Sequence, residues 1–371
     1  MLEGEDRPSY ELTLAALAHH LHDAHIYFRG ALYFAHMFGR YYYPAQLVYA
    51  EGQLVVYSVA SGSSLARGDA IIGVNGRNID EITSEMRRFL SYPNEEKALA
   101  YLARHRRGEI LPTGAAQVVA GQGTHRLMRP GIPHALTAHE GFMFIDILRG
   151  RFGNTYRVSG SQFTWMYMLY TFESHVLLDS NIGIINSAVQ ADVHYIMESF
   201  ADTYGILVDL RQQPHAGFEM AILQHLLEEP VPYLYFSKPS PMNPGRRFNV
   251  PKSHIVAQDT YRFIYGRPVV LLTDLQTFGA PERVAMSLSA APNVTVIGPY
   301  SMGSGGKVSI LPLPGGIDMF FTSLGVYTPE GGQTFRLGLT PDIRVERTVQ
   351  GVTEGRDEIM EAAIEFILGE R

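Results

Sequence analysis

The stretch "NIGIINSAVQADVHYIMESFADTYGILVDLRQQPHAGFEMAILQHLL", residues 181–227, decides the fold. It alternates short apolar runs, "NIGIINSAV" and "YGILVDL", with segments of helical character, "DVHYIMESFA" and "FEMAILQHLL". An apolar run without polar alternation reads as a strand covered on both faces, which is how strands of a parallel sheet between helices look. The same alternation continues through "PVPYLYFS", "RPVVLLTD", "APERVAMSLSA" and "NVTVIGP", so an α/β layer with parallel pairing is predicted. Ligands of such sheets sit beyond the carboxyl ends of the strands. Two loops fall there: "DLRQQPHAG", residues 209–217, and "TDLQTFGAPE", residues 273–282.

Working outward, residues 9–22, "SYELTLAALAHHLH", place Leu14, Leu17, Ala18 and Leu21 at the spacing of one helix face, with Ser9 as the N-cap. "DAHIYFRGALYF" then carries Asp23 and His25 into an apolar, aromatic stretch. From residue 46 the pattern turns β-rich, in "QLVYAEGQLVVYSV" and then "SSLARGDAIIGVNGRNIDEITSEMRRFL". Gly68 and Asp69 turn the chain, "AIIGV" is a buried strand, Asn75-Gly76 signals a hairpin, and a helix runs from about Ile79. The string "L-x-x-GD-x-I-x-x-VNG" resembles the central strands of a PDZ domain, a module that binds an extended peptide as an added strand. The alternative is an ordinary small β-domain that packs against its neighbour. Between 93 and 180, "NEEKALAYLARHRRG" is helical, "AQVVAGQGTHRLMRP" returns two strands, and "GFMFIDILRGRFGNTYRV" is a hairpin; no chemistry is legible there.

Composition bounds the function. The 371 residues suffice for two or three domains, and 46% hydrophobic against 18% charged residues, with 21 Tyr and 19 Phe, is the balance of a core-forming protein. The net charge of −7 comes without a Lys/Arg cluster dense enough to neutralise a row of phosphates, so no nucleic-acid partner is expected. Absence of cysteine excludes disulfides, thiolate metal sites and a cysteine nucleophile. No run reaches the ~18 apolar residues of a membrane span. The acidic, polar "MLEGEDRPSY" carries no secretory signal, although a mature fragment with its signal removed would read the same.

The order of "DAH", the PDZ-like unit, "DLRQQPHAG", "TFGAPE", "GPYSMGSGG", "YTPEGG" and "GLTPDI" resembles the tail-specific, or C-terminal processing, serine peptidases and their tricorn-like relatives. The resemblance implies an α/β, multi-domain fold: an N-terminal helical segment (1–45), a PDZ-like β-domain (46–135) and a layered β-β-α, crotonase-like peptidase domain (136–371). In that family the strand-to-helix turn reads T-x-S-A-x-E with serine as nucleophile. "TFGAPE" matches at Thr277, Ala280 and Glu282, but Gly279 stands at the serine position and offers no group for a base to activate. The family lysine position holds Ser304, with Lys307 three residues on, and the carboxylate position holds Phe335. His25 falls where the histidine branch of the family places its base; read on its own, it is equally a satisfied, half-buried histidine. The backbone oxyanion hole would draw on Ala280 and on the loop after "DLR", where His215 and Ala216 replace glycines and Gly217 follows.

Other residues read as structural: Asp209 and Arg211 as a pair at a strand end, Asp342 as a cap or turn, and "GAPE" as a helix start that needs no side chain. His19, His22 and His25 recur on a drifting helix face without a carboxylate as further ligand, so neither a metal nor another cofactor is implied. Three functions follow as expectations. The first is a degenerate family member that binds an extended peptide or protein segment without cleaving it. The second is an active peptidase in which Ser301 or Ser304 replaces the nucleophile with His25 as base. The third is a non-enzymatic binder of a small apolar ligand. The resemblance implies an extracytoplasmic, periplasmic location in a bacterium, and oligomeric state is not legible.

Overall fold

The predicted parallel layer is present in the computed structural model, which describes residues 7–29, 45–59, 65–74, 77–103, 143–148, 155–160, 175–188, 191–240, 242–243, 246–250 and 263–369. The chain divides into two units, one of residues 1–169, 310–321 and 347–356, the other of 170–309, 322–346 and 357–371.

In the second unit, β8 (His175–Leu177), β9 (Ile182–Asn186), β10 (Gly205–Asp209), β13 (Val269–Leu272), β14 (Val294–Gly298) and β17 (Ile343–Arg344) form one sheet, ordered β17-β14-β13-β10-β9-β8. All neighbours are parallel except β8, which runs antiparallel to β9. Alternate residues feed opposite cores. Ile206, Val208, Val269 and Leu271 join a cluster with α4 (Val193–Ser199), α5 (Phe218–Leu226) and α6 (Ala280–Leu288). Leu207, Val270 and Leu272 join another with Ile359, Ala363 and Ile367 of α8 (Glu358–Gly369). Burial on both faces explains why these strands read as unbroken apolar runs.

"PVPYLYFS" was expected to continue this layer and does not. Its strand β11 (Tyr235–Pro239) lies in a separate sheet, antiparallel to β12 (Arg247–Val250) and to the C-terminal part of β16 (Ile317–Tyr327). The β16 register covers only 235–237, so Pro239, which has no N–H to give, falls where the strand has one described neighbour. Phe236 and Val326 still reach the core that holds α4, α5 and α6.

In the first unit, β2 (Ala45–Ala50) and β3 (Gln53–Val59) turn at Glu51-Gly52, both at positive φ, and the sheet continues through β4 (Ala70–Val74), β6 (Met143–Leu148) and β7 (Thr155–Gly160). Gly68 and Asp69 turn the chain as expected, with the Asp69 carboxylate accepting from the Ala66 N–H at 2.7 Å. Val74 of β4 faces Arg77 of the two-residue β5 (Arg77–Asn78), the register a hairpin at 75–76 requires; those two residues lie outside the described set. Asn78 caps α2 (Ile79–Arg87), and α3 (Glu95–Ala103) covers part of the "NEEKALAYLARHRRG" prediction. Within "GFMFIDILRGRFGNTYRV" the described strands β6 and β7 pair antiparallel, as the expected hairpin requires, whereas "AQVVAGQGTHRLMRP" lies outside the described residues. α7 (Val349–Glu354) packs on β3 through Val349 and Val352.

The N-terminal helix exists, and of its expected face Ala18 is buried and Leu14 packs on the same cluster, while Leu17 and Leu21 do not. α1 spans Arg7–His19, so Ser9 is inside it and not its cap; the Ser9 carbonyl accepts from Thr13 Oγ1 at 2.8 Å. Glu11, Ala15 and Ala18 are buried, while Leu17 and Leu21 are 64% and 46% exposed. Ala15 and Ala18 sit against Phe28 of β1 (Tyr27–Arg29) and Ile317 of β16, a contact that needs small residues, and Glu11 is held by Arg7 at 2.7 Å. Among the described residues no helix is long and apolar enough to cross a membrane.

Candidate functional site

The loops at the carboxyl ends of β10, β13 and β14 meet around Gly279. After β13 the chain closes a tight turn in which the Asp274 N–H donates to Thr277 Oγ1 at 2.8 Å and the Gln276 N–H to the Asp274 carboxylate at 2.9 Å. Phe278 and Gly279 follow, and α6 begins at Ala280 with Pro281 in its first turn, where a missing N–H costs nothing. Gly279 has φ +74° and ψ −109°. That is a conformation in which an L side chain is strained, the backbone state of a nucleophile elbow. The turn has the shape of one, and its tip carries no side chain.

Glu282 holds this turn together. Its carboxylate is fully buried and accepts five hydrogen bonds: the Gly279 N–H at 3.1 Å, the Gly303 N–H at 2.6 Å, the Ser304 N–H at 2.6 Å, the Ser304 hydroxyl at 3.0 Å and the Ser301 hydroxyl. Burial pushes the Glu282 carboxyl above the usual carboxylate range, and the bonds from Ser301, Gly303, Ser304 and Gly279 oppose that rise. Sequence reading noted Glu282 as a motif match and missed its role. The signal was present: a glutamate three residues after a helix start has capping-box spacing.

The serines considered as replacement nucleophiles are part of this clamp. Ser301 and Ser304 are both 0% exposed. The Ser301 hydroxyl donates to Glu282 and accepts from the Leu339 N–H at 2.7 Å. The Ser304 hydroxyl donates to Glu282 and accepts from the Gly279 N–H at 3.0 Å. Their loop is stitched to the turn by the Met302 N–H, which donates to the Thr277 carbonyl at 3.0 Å, and to the next loop by the Arg336 N–H, which donates to the Gly303 carbonyl at 2.7 Å. Phe335, which the resemblance sets at the carboxylate position, is half-buried, with the Arg336 guanidinium 5.2 Å from its ring centre.

On the other side, Gln213 Nε2 donates to the Phe278 carbonyl at 2.9 Å, which ties the loop after β10 to the tip. The His215 N–H donates to the Ser187 carbonyl at 2.9 Å and is thereby committed to the fold. Neither His215 nor Ala216 takes positive φ; Gly217 does, at +89°, and starts α5. Asp209 and Arg211 pair at the strand end as expected, at 2.8 Å, and Arg211 also holds Asp357 at 2.7 Å. Asp342 accepts from the Val296 N–H at 2.8 Å and so fastens its loop to β14. The structure thus gathers Gly279, Ala280, Ser301, Ser304 and the His215 loop in the second unit. His25 belongs to the first unit, where it is buried and its N–H donates to the Asp23 carboxylate at 3.0 Å. His19 and His22 donate from Nδ1 to the carbonyls of Leu90 and Tyr92 at 2.7 and 3.2 Å.

Residues 186–345 match the model of peptidase family S41. That range holds the turn, the Glu282 clamp and the second-unit residues placed around them except Asp357, so the resemblance to C-terminal processing peptidases stands. The chain is 33% identical over 91 residues to the carboxy-terminal-processing protease of Bartonella bacilliformis, a match covering 24% of this chain and 21% of that one. It is 25% identical over 145 residues to the carboxy-terminal processing protease CtpB of Bacillus subtilis, covering 38% and 28%. Each match spans less than a third of the relative's length. Among solved structures, mature CPAF is similar with a TM-score of 0.68 over 99% of this chain and 89% of that chain at 13% identity, which shows a shared fold.

Proposed function

We propose that this S41-related chain binds an extended peptide or protein segment and does not cleave it. The observation that carries the reading is the tip of the turn: Gly279 has the strained backbone of a nucleophile-bearing residue and nothing to attack with. The two hydroxyls considered as replacements, on Ser301 and Ser304, are buried and donated to Glu282, and activating either would break the clamp that shapes the turn. Phe335 supplies no charge to orient a base. A His215 N–H engaged by Ser187 leaves the loop after β10 one fewer donor for an oxyanion.

Peptide capture falls to two features in this reading. One is the sheet of β2 to β7, which we read as the PDZ-like module, able to take a strand at its edge. The other is the loop region beyond the carboxyl ends of the parallel strands, around Gly279. On the same resemblance we read the protein as extracytoplasmic. The test is to incubate the protein with a fluorescent library of unstructured peptides, measuring binding by anisotropy and products by mass spectrometry. Saturable binding with intact peptide is expected; catalytic turnover by the purified protein would overturn the reading.

A further inference from the structure

The end of α1 carries histidines that the turn around Gly279 does not use. His19 is the last residue of the helix, and His22 stands at φ +48°, in the left-handed region where residues other than glycine are uncommon. In that conformation its ring lies beside His19, with ring centres 5.7 Å apart and planes at 67°. Each ring is held by one nitrogen: His19 Nδ1 lies 2.7 Å from the Leu90 carbonyl and His22 Nδ1 lies 3.2 Å from the Tyr92 carbonyl. A carbonyl only accepts, so both neutral imidazoles carry their proton on Nδ1 and keep a lone pair on Nε2. Between the two carbonyls Ser91 Oγ takes the Asp23 N–H at 2.9 Å, and Leu90, Ser91 and Tyr92 are all buried, so both rings are moored to a packed segment.

Neither Nε2 has a hydrogen bond among the described residues; His19 is half-buried and His22 is exposed. The two nitrogens of an imidazole sit on opposite edges of the ring, so mooring both Nδ1 atoms to one segment turns both Nε2 atoms away from it. An imidazole with Nδ1–H on a carbonyl and Nε2 open is the form that ligates metal, because the outer bond fixes tautomer and orientation and raises ligand basicity. The spacing suits a shared ion. With Zn–N of about 2.0–2.1 Å and Nε2 about 1.1 Å from its ring centre, two imidazoles on one ion have centres about 5 Å apart at the tetrahedral angle and about 6 Å at most. His25, next in the same sequence spacing, is buried, and among the described residues no group of three His, Asp or Glu side chains is placed to hold a metal, so water completes the coordination.

We propose that His19 and His22 form a two-imidazole site for a divalent transition-metal ion of the zinc class, which locks the left-handed turn at the end of α1. Two neutral nitrogens without a carboxylate select an imidazole-preferring ion over the oxygen-seeking Mg²⁺ and Ca²⁺. The ion bridges residues that only the folded chain brings side by side, so its binding stabilises the fold.

Calorimetric titration of the whole chain with Zn²⁺ tests the site. In His19→Asn and His22→Asn the amide N–H stands near the place of Nδ1–H, so the bond to the carbonyl is kept while the ligand is removed, and Asn tolerates the left-handed turn. Loss of an outer-shell partner alone costs about 10–100-fold in metal affinity, so each variant should weaken Zn²⁺ by at least about tenfold. Saturating Zn²⁺ should raise the thermal midpoint of the native protein and leave that of either variant unchanged. His20→Asn separates a built pair from a merely histidine-rich surface. The His20 ring lies 5.4 Å from His19 but is exposed and has no hydrogen bond among the described residues, so this variant should bind as the native protein does. Absence of saturable Zn²⁺ binding, unchanged affinity in His19→Asn and His22→Asn, or an equal loss in His20→Asn overturns the proposal. Should the variants not fold, nitrogen NMR of the native imidazoles decides: Zn²⁺ should move the Nε2 resonances of His19 and His22 while both keep their Nδ1 protons. Resonances that stay in place at saturating Zn²⁺ would overturn the site.

Discussion

At Gly279 and Glu282 the turn is defined by one residue that lacks a side chain and one whose side chain does most of the bonding. Because Gly279 sits at φ +74°, Gly279→Ala should lower stability by about 1–3 kcal/mol, read as a shift of the urea midpoint without a change in slope. Glu282→Ala takes the acceptor from five donors, of which only the Gly279 N–H keeps another, Ser304 Oγ. With buried donors costing ~1–3 kcal/mol each when unpaired, the loss should be about 3 kcal/mol or more. Its pH dependence has a definite sign. A carboxyl raised by burial contributes stability that is full below the ordinary glutamate value and lost as pH rises through the raised one. Glu282→Ala should remove that slope from a pH series of urea melts. Gly279, Ser304 and Phe335 were legible as departures from a motif. That Ser301 and Ser304 are closed off was not, because their partner Glu282 becomes a neighbour only through the fold.

α1 and the parallel strands illustrate opposite outcomes of reading elements from pattern. The strands were legible because burial on both faces leaves one signature, an unbroken apolar run, and β10 and β13 carry it. In α1 Leu14, Leu17, Ala18 and Leu21 suggested one face; Ala18 and Leu14 do pack inward, but the buried stripe is completed by Glu11 and Ala15, at close approach to Phe28 and Ile317, while Leu17 and Leu21 are exposed. Hydrophobicity ranks leucine above alanine, whereas a close contact ranks them by size. Leu17→Ser should therefore change the thermal midpoint little, within about 0.5 kcal/mol, while Ala15→Leu should cost about 1–3 kcal/mol by overpacking. If Leu17→Ser proves the more damaging of the two, the helix face is misassigned. β11 shows a third outcome: its apolar run was recognised as a strand, but sheet membership depends on distant pairing with β16 that no local window contains.

For the whole molecule, motif order along the chain indicated the peptidase relationship, and the match of residues 186–345 to family S41 together with the CPAF-like fold agrees with it. Function is separable from that ancestry, since a fold retains its shape after a site stops working. The central proposal is that the chain has kept the nucleophile turn and lost the reaction. Intact-mass spectrometry after treatment with a serine-directed fluorophosphonate, on the native protein, Gly279→Ser and Ser304→Ala, tests it most directly. The account predicts no adduct on the native protein, and none on Gly279→Ser, because the resemblance sets Ser304 and Phe335 at the lysine and carboxylate positions. An adduct on the native protein that disappears in Ser304→Ala, or one that appears in Gly279→Ser, would contradict it.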